Sequence, residues 1–278
     1  MTTVACFFDP EMDRRIRERY SLQHDLRSAI AHDELRLHYQ PLATIDGDVF
    51  GFEALVRWQH PKHGLVPPGT FITLAEQNGL IVEIGEWTLR QACGEAASWK
   101  KPLQISINLS PVQFRYGDLP HLVHSILLES GLQPARLELE ITEGVLINDS
   151  SRALSILRRL KALGVKIAMD DFGTGYSSLS SLQSFPFDKI KIDRTFISGV
   201  DSNQQSAAIV RAVIGLSDAL HMPVIAEGVE TESERQFLMD EGCGEIQGYL
   251  IGRPQPIASY SGLTSGVAAA KPINDMVA

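Results

Sequence analysis

The chain has 278 residues, of which 44% are hydrophobic and 21% charged, and it carries a net charge of −9. This is the balance of an ordinary globular protein with one large domain or two small ones, and its acidity disfavours broad binding to nucleic acid or to an anionic membrane. No apolar run is long enough to span a bilayer, the N-terminus lacks the apolar core of a secretory signal, and Cys6, Cys93 and Cys243 form neither a zinc spacing nor a disulfide framework. The expected compartment is a reducing cytoplasm, either for a free protein or for the cytoplasmic part of a membrane-anchored one.

Val4-Ala5-Cys6-Phe7-Phe8 is a short apolar stub. Asp9-Pro10 then starts a charged helix with Ile16, Tyr20, Leu26 and Ile30 on one stripe. Residues 35–41 alternate and read as a strand, Ile45-Asp46-Gly47-Asp48 is a hairpin-like turn, and residues 50–58 form the next strand. So little chain separates these strands that they should pair antiparallel. Residues 61–68 read as a loop, and residues 70–99 as helix with a break at Asn78-Gly79. The strand at 104–108 leads into Ser110-Pro111, where serine caps a helix and proline takes its first turn, so Asn108 is not needed as a cap.

From there one rhythm repeats, a strand of about five residues followed by a helix. Strands begin near Leu137, Lys166, Lys189, Val224 and Glu245, and helices run near 149–163, 177–182, 205–220 and 231–241. After Pro256 the chain turns rich in Ser, Gly and Ala, and from about Gly262 it reads as a disordered tail.

Buried strands alternating with helices imply a mostly parallel sheet with helices outside. An open doubly wound sheet and a closed barrel both fit that rhythm. The polar residues favour the barrel. Glu138 and Glu140 share a strand face, as do Gln104, Ser106 and Asn108, and Lys189, Lys191 and Asp193. A barrel points one such face at its axis and gathers the C-terminal ends at one mouth. The expected fold is α/β, a TIM-like (β/α)8 barrel whose first strand runs antiparallel to the rest.

Glu53, Asn108, Glu140, Asp170, Asp171 and Glu227 then fall near the ends of short apolar strands. All are hard oxygen donors, and no His or Cys joins them at ligand spacing, which selects magnesium or manganese over zinc or copper. Adjacent Asp170 and Asp171 repel each other and call for a cation. Read alone, that pair could equally be a helix cap beside a solvated carboxylate. Together the donors suit two ions, with Asp170 bridging, as in phosphodiester hydrolysis. Lys191 is the lone cation among these strand ends, placed to hold water or to neutralise a phosphate oxygen. Asp170-Asp171-Phe172-Gly173 contains the Asp-Phe-Gly of protein kinases, but the chain has no Gly-rich loop with a following strand lysine and no His-Arg-Asp loop.

Glu53-Ala54-Leu55-Val56-Arg57-Trp58 resembles the signature of EAL domains, the bacterial cyclic di-GMP phosphodiesterases. Tyr39-Gln40-Pro41, Asn108-Leu109-Ser110, Glu140-Ile141-Thr142-Glu143, the run from Asp170 to Ser177, Lys191-Ile192-Asp193, Ala226-Glu227-Gly228-Val229-Glu230 and Gln247-Gly248-Tyr249 follow in that family's order. The resemblance implies hydrolysis of cyclic di-GMP to linear pGpG with two magnesium or manganese ions. It implies Glu53, Asn108, Glu140, Asp170, Asp171 and Glu227 as metal ligands, Lys191 as the catalytic lysine, and Glu143 as the group that holds the loop from Asp171 to Ser177. Gln40, Leu55, Arg57, Asp193 and Gln247 are the implied substrate contacts.

The resemblance, which covers about residues 22–258, also implies a homodimer and an upstream GGDEF or sensor domain, with residues 1–21 as a linker helix segment and 22–258 as the barrel; composition makes 259–278 the flexible C-terminal tail. Neither DNA nor RNA, nor direct membrane contact, is expected. Two other readings remain: a silent cyclic di-GMP receptor, and, on fold analogy alone, a barrel lyase using Lys191.

Overall fold

A computed structural model of the chain describes residues 10–145, 149–173 and 184–265. The apolar stub, the capping Asp9, the expected helix at 177–182, most of the loop after Asp171 and the last residues of the expected tail lie outside them.

The strands are β1 Leu35–Thr44, β2 Val49–His60, β3 Gly64–Val66, β4 Gln104–Leu109, β5 Leu137–Thr142, β6 Lys166–Phe172, β7 Lys189–Ile192, β8 Val224–Glu227 and β9 Glu245–Gln247. β2, β4, β5, β6, β7, β8 and β9 lie side by side and parallel. β1 pairs antiparallel with both β2 and β9 and closes the sheet into a barrel. The reversal follows from the tight turn at 45–48, which returns the chain at once and leaves no length for a crossover. β3 pairs antiparallel with the far end of β2, outside the barrel wall. The sequence reading had this stretch as loop, because three residues carry too little alternation to register.

The helices are α1 Pro10–Ala29, α2 Pro68–Asn78, α3 Ile81–Ser98, α4 Leu119–Ser130, α5 Ser150–Ala162, α6 Arg194–Ile197, α7 Gln204–Leu220, α8 Glu232–Asp240 and α9 Ser261–Thr264. Gly79, at a left-handed φ of 81°, makes the expected break between α2 and α3. α4 is absent from the sequence reading, although Asp118 caps it and Pro120 stands in its first turn.

Alternation along each strand separates two environments. Ile105, Ile107, Leu137, Leu139, Ile141, Ile167, Met169, Ile190 and Ile192 face the helices and form the main core. The opposite faces carry Ser106, Glu138, Glu140, Lys189 and Lys191, all buried. A TIM barrel usually fills its interior with branched apolar side chains. Here the floor beneath the site is a polar layer: Ser106 Oγ donates to Glu138 Oε1 at 2.9 Å, and Lys189 Nζ lies 2.7 Å from Glu245 Oε2 and 3.4 Å from Glu138 Oε2.

A second, smaller core joins Leu26 and Ala29 of α1 to Trp58, Val66 and Phe71. Trp58 Nε1 donates to Glu34 Oε2 at 2.9 Å, and His60 Nε2 contacts Asp25 Oδ2 at 3.2 Å. At the other terminus, the Tyr260 ring packs 5.3 Å from Phe52, which in turn meets Trp99 at 5.4 Å. Residues 259–265 are therefore seated on the barrel wall. A buried aromatic ring of this kind contributes about 1.5–3 kcal/mol.

Candidate active site

The parallel register sets the heights of the donors. Asn108 stands beside Glu140, Thr142 beside Asp170, and Glu227 beside Gln247. Glu53 is the exception among the expected strand ends, for it lies in the middle of β2. That strand runs on past the rim to pair with the start of β1 and with β3, so its sequence end and its height in the barrel differ.

A bulge explains how Asp170 and Asp171 can both serve one site. Successive strand residues point to opposite faces. Between β6 and β7, Met169 pairs with Ile190 but Phe172 pairs with Ile192, so β6 carries one extra residue there. Asp171 takes a left-handed φ of 55°, uncommon for a residue with a side chain, and its N–H donates to Asp170 Oδ1 at 3.0 Å. The Asp171 carboxyl feels Asp170, Asp193 and Lys191. Burial, with the two neighbouring carboxylates, lifts it to about 6 against the pull of the lysine.

Lys191 occupies the centre. Its Nζ lies 2.6 Å from Glu140 Oε2, 2.5 Å from Glu227 Oε1, 3.4 Å from Asp170 Oδ1 and 4.0 Å from Glu53 Oε2. Burial works against the ammonium, but these four carboxylates outweigh it and hold its pKa above the ordinary lysine value. Burial raises Glu140 and Glu227 in turn, opposed by Lys191 and reinforced by the neighbouring acids. One ammonium thus faces four carboxyl groups, of which burial biases Glu140 and Glu227 toward the neutral form.

Glu53 is clamped at both oxygens. Asn108 Nδ2 donates to Oε1 at 2.5 Å and Gln247 Nε2 to Oε2 at 2.6 Å. Gln247 also reaches Gln40 Oε1 at 3.2 Å, and Gln40 Nε2 donates to the Gly252 carbonyl at 3.2 Å. Asn108 is free for this because Ser110 caps the following turn. Ser110 Oγ also donates to Glu76 Oε1 of α2 at 2.7 Å, which ties the Asn108 loop to that helix.

The remaining expected residues are more dispersed. Leu55 lines the cavity above the carboxylates. Arg57 is half-buried; burial lowers its pKa while the charge of Glu53 and the Tyr249 phenol support it. Asp193 caps α6 through the Thr195 N–H at 2.9 Å, and its carboxyl is hydrogen-bonded to that of Asp171. Glu143 is buried just beyond β5, and neither of its oxygens finds a hydrogen-bond partner among the described residues. The loop it is expected to hold lies largely outside them.

The donor set suits a hard divalent cation. Glu140 Oε1 is buried without a hydrogen-bond partner among the described residues, an oxygen left over for a ligand bond. No three acidic or imidazole groups among the described residues already converge as a metal cage, and the Lys191 ammonium stands between them.

The mouth opens into a cavity of about 490 Å³ with Gln40, Glu53, Glu227 and Gln247 on its floor. Its walls include Arg194, Thr195, Glu230 and Tyr249, which the sequence reading did not single out as site residues. Glu230 and Tyr249 carried a signal, through their places at the ends of Ala226-Glu227-Gly228-Val229-Glu230 and Gln247-Gly248-Tyr249.

A family model described as EAL domain matches residues 23–254. An uncharacterized signaling protein of Caulobacter vibrioides is 60% identical over 255 residues, covering 91% of this chain and 32% of that protein. The bifunctional diguanylate cyclase/cyclic di-GMP phosphodiesterase MucR of Pseudomonas aeruginosa is 45% identical over 256 residues, covering 90% of this chain and 37% of that protein. The chain thus spans about a third of the length of these curated relatives. Among solved structures, one described as the PaMucR phosphodiesterase in complex with c-di-GMP aligns with a TM-score of 0.83 at 45% identity, covering 86% of this chain and 99% of that one.

Proposed function

The chain belongs to the EAL domain family, and from that membership we propose that it is a metal-dependent phosphodiesterase that opens cyclic di-GMP to linear pGpG. One observation carries the reading: four carboxylates and one buried lysine converge beneath an open cavity, with Glu53 fixed by two amides. A receptor that only binds has no need of so costly a buried cluster.

Glu53, Asn108, Glu140, Asp170, Asp171 and Glu227 are the residues that would hold two magnesium or manganese ions. Bound there, such ions supply Lewis-acid stabilisation of phosphate charge and an activated water. The chain's own groups do the rest. The Asn108 and Gln247 amides orient the Glu53 carboxylate. Lys191 carries the one ammonium at the reacting centre and serves to neutralise a phosphate oxygen or to hold the attacking water. Gln40, Leu55, Arg57, Asp193 and Gln247 form the contact set for the dinucleotide. Glu143, buried beside the start of the 171–177 loop, serves to hold that loop.

Residues 22–258 form the proposed catalytic unit. Residues 1–21 are its link to an upstream GGDEF or sensor domain, a pairing that fits the bifunctional name of one relative. A homodimer and a cytoplasmic site of action complete the proposal; among the described residues no helix is long and apolar enough to cross a membrane.

The test is incubation with cyclic di-GMP and magnesium or manganese, with a chelator control and separation of the nucleotides. Metal-dependent linear pGpG is expected. Intact substrate that nevertheless binds tightly would replace the enzyme with a receptor.

A further inference from the structure

Glu53 and Asn108, joined by a hydrogen bond, stand on the neighbouring strands β2 and β4, whose pairing ends at Ala54 and Ile107. Asn108 lies just beyond that end. It keeps its partner Glu140 in β5, but among the described residues it has no ladder partner in β2. It is also the only exposed residue of β4. The sheet therefore holds Asn108 from one side alone, and the side toward Glu53 is open.

Helix α2 closes that side. Phe71 meets Trp58 of β2 edge-on, with ring centroids 5.9 Å apart, so the helix is carried by the strand that bears Glu53. Further along the same helix, Glu76 Oε1 accepts the Ser110 hydroxyl at 2.7 Å. The turn after β4 does not need this bond to form. As a cap Ser110 works by accepting: its Oγ takes the Val112 N–H at 3.2 Å, while its own N–H goes to Gln113 Oε1 at 2.9 Å. A hydroxyl has a single proton to give, and Ser110 gives it to Glu76. Gln113 is in turn packed so closely on Gly85 of α3 that a Cβ there would overlap it. The turn is thus complete in itself, and Glu76 adds a tie from it back to β2.

With Nδ2 given to Glu53, the Asn108 amide has its carbonyl oxygen left for a hard cation. Where that oxygen stands depends on the Ser110 turn that follows it. Resting on the metal-dependent reading, we propose that Glu76 is a positioning residue for the metal site. Through Ser110 it fixes the spacing of Asn108 from Glu53, and with it the affinity for the ion that Asn108 holds. It touches neither metal nor substrate.

The test titrates metal-free wild type, Glu76→Gln, Glu76→Ala, Ser110→Ala and the double variant Glu76→Ala/Ser110→Ala with manganese alone in a calorimeter, with melting temperatures in chelator read alongside. Groups that orient a ligand without touching the metal typically account for about 10–100-fold in affinity. Glu76→Ala should weaken manganese binding by about tenfold, the lower end of that range, because it acts through one further bond. Glu76→Gln keeps an oxygen that can accept the Ser110 hydroxyl and should bind as wild type does. Ser110→Ala loses the cap as well and should weaken binding at least as much as Glu76→Ala. The double variant should bind no more weakly than Ser110→Ala, since both substitutions remove the same bond. Unchanged manganese affinity in Glu76→Ala, even with a lowered melting temperature, would reduce Glu76 to a structural tie. An equal loss in Glu76→Gln, a smaller loss in Ser110→Ala, or additive losses in the double variant would also overturn the proposal.

The titration contains no substrate. A wild type that binds manganese but leaves cyclic di-GMP intact would defeat the hydrolytic reading while the role of Glu76 is still decided. A wild type that binds no manganese would defeat both.

Discussion

The Lys191 ammonium lies 2.6 Å from Glu140 Oε2, with both side chains buried at the centre of the barrel mouth. The same ammonium is shared with Glu227, Asp170 and Glu53, so it is the internal counterion of the whole cluster. Lys191→Met removes it and leaves buried acids uncompensated, a change that typically costs about 3–5 kcal/mol. The metal-free variant should melt well below wild type, and magnesium or manganese should raise its melting temperature more than it raises that of wild type. Thermal melts with chelator and with metal check this; equal melting temperatures in chelator would remove the counterion role.

Glu53→Ala and Asp170→Asn each delete a proposed ligand without opening the apolar core, which lies on the other face of the strands. Turnover of cyclic di-GMP should fall by at least about a hundredfold, in the range associated with losing one electrostatic catalytic group. Far-ultraviolet circular dichroism should stay that of wild type. Wild-type turnover in Asp170→Asn would take Asp170 out of the ligand set.

The glycine after Gln247 is a packing requirement. A Cβ on residue 248 would overlap both the N and the carbonyl O of Val229, which are backbone atoms and cannot swing aside. Gly248→Ala must separate the Val229 turn from the end of β9, breaking the Val229 N–H bond to the Gln247 carbonyl, now 3.0 Å. Overpacking of this kind costs about 1–3 kcal/mol. Urea denaturation should show a lowered midpoint, and turnover should fall with it because Gln247 holds Glu53.

The two described cysteines should be chemically silent in the native protein. Burial pushes the Cys93 thiol up to about 12, and burial also dominates at Cys243, which rises to about 11. Burial penalises the thiolate, so at pH 8 both stay protonated and shielded. Alkylation followed by peptide mass spectrometry should leave Cys93 and Cys243 unlabelled in native protein and labelled after unfolding. Fast native labelling of Cys93 would show that α3 opens readily from the barrel.

Much of this architecture is written in short-range pattern. Alternation in β4, β5 and β7 marks the polar inner face, and Ser110-Pro111 releases Asn108 from capping, so those donors are legible residue by residue. The bulge at Asp170-Asp171 is not, because it exists only in the register between β6 and β7. The height of Glu53 is hidden for a similar reason: β2 continues beyond the rim, and only its pairing with β1 shows where the barrel ends. The use of Lys191 as a shared counterion, and of Glu76 as a tie for Ser110, depends on contacts between distant segments that no local pattern encodes.

The reversed first strand has a consequence for how the molecule can be wired. Leu35, where β1 begins, pairs with Trp58, while Gln40 pairs with Glu53. At about 3.4 Å per residue, the chain therefore comes in roughly 17 Å along the strand from the level of the site, on the side of the barrel mouth. A barrel whose strands all run parallel takes in its chain at the opposite end. Anything joined ahead of α1 is leashed to the rim that substrate must cross, so a displacement of that helix reaches the mouth without travelling through the barrel.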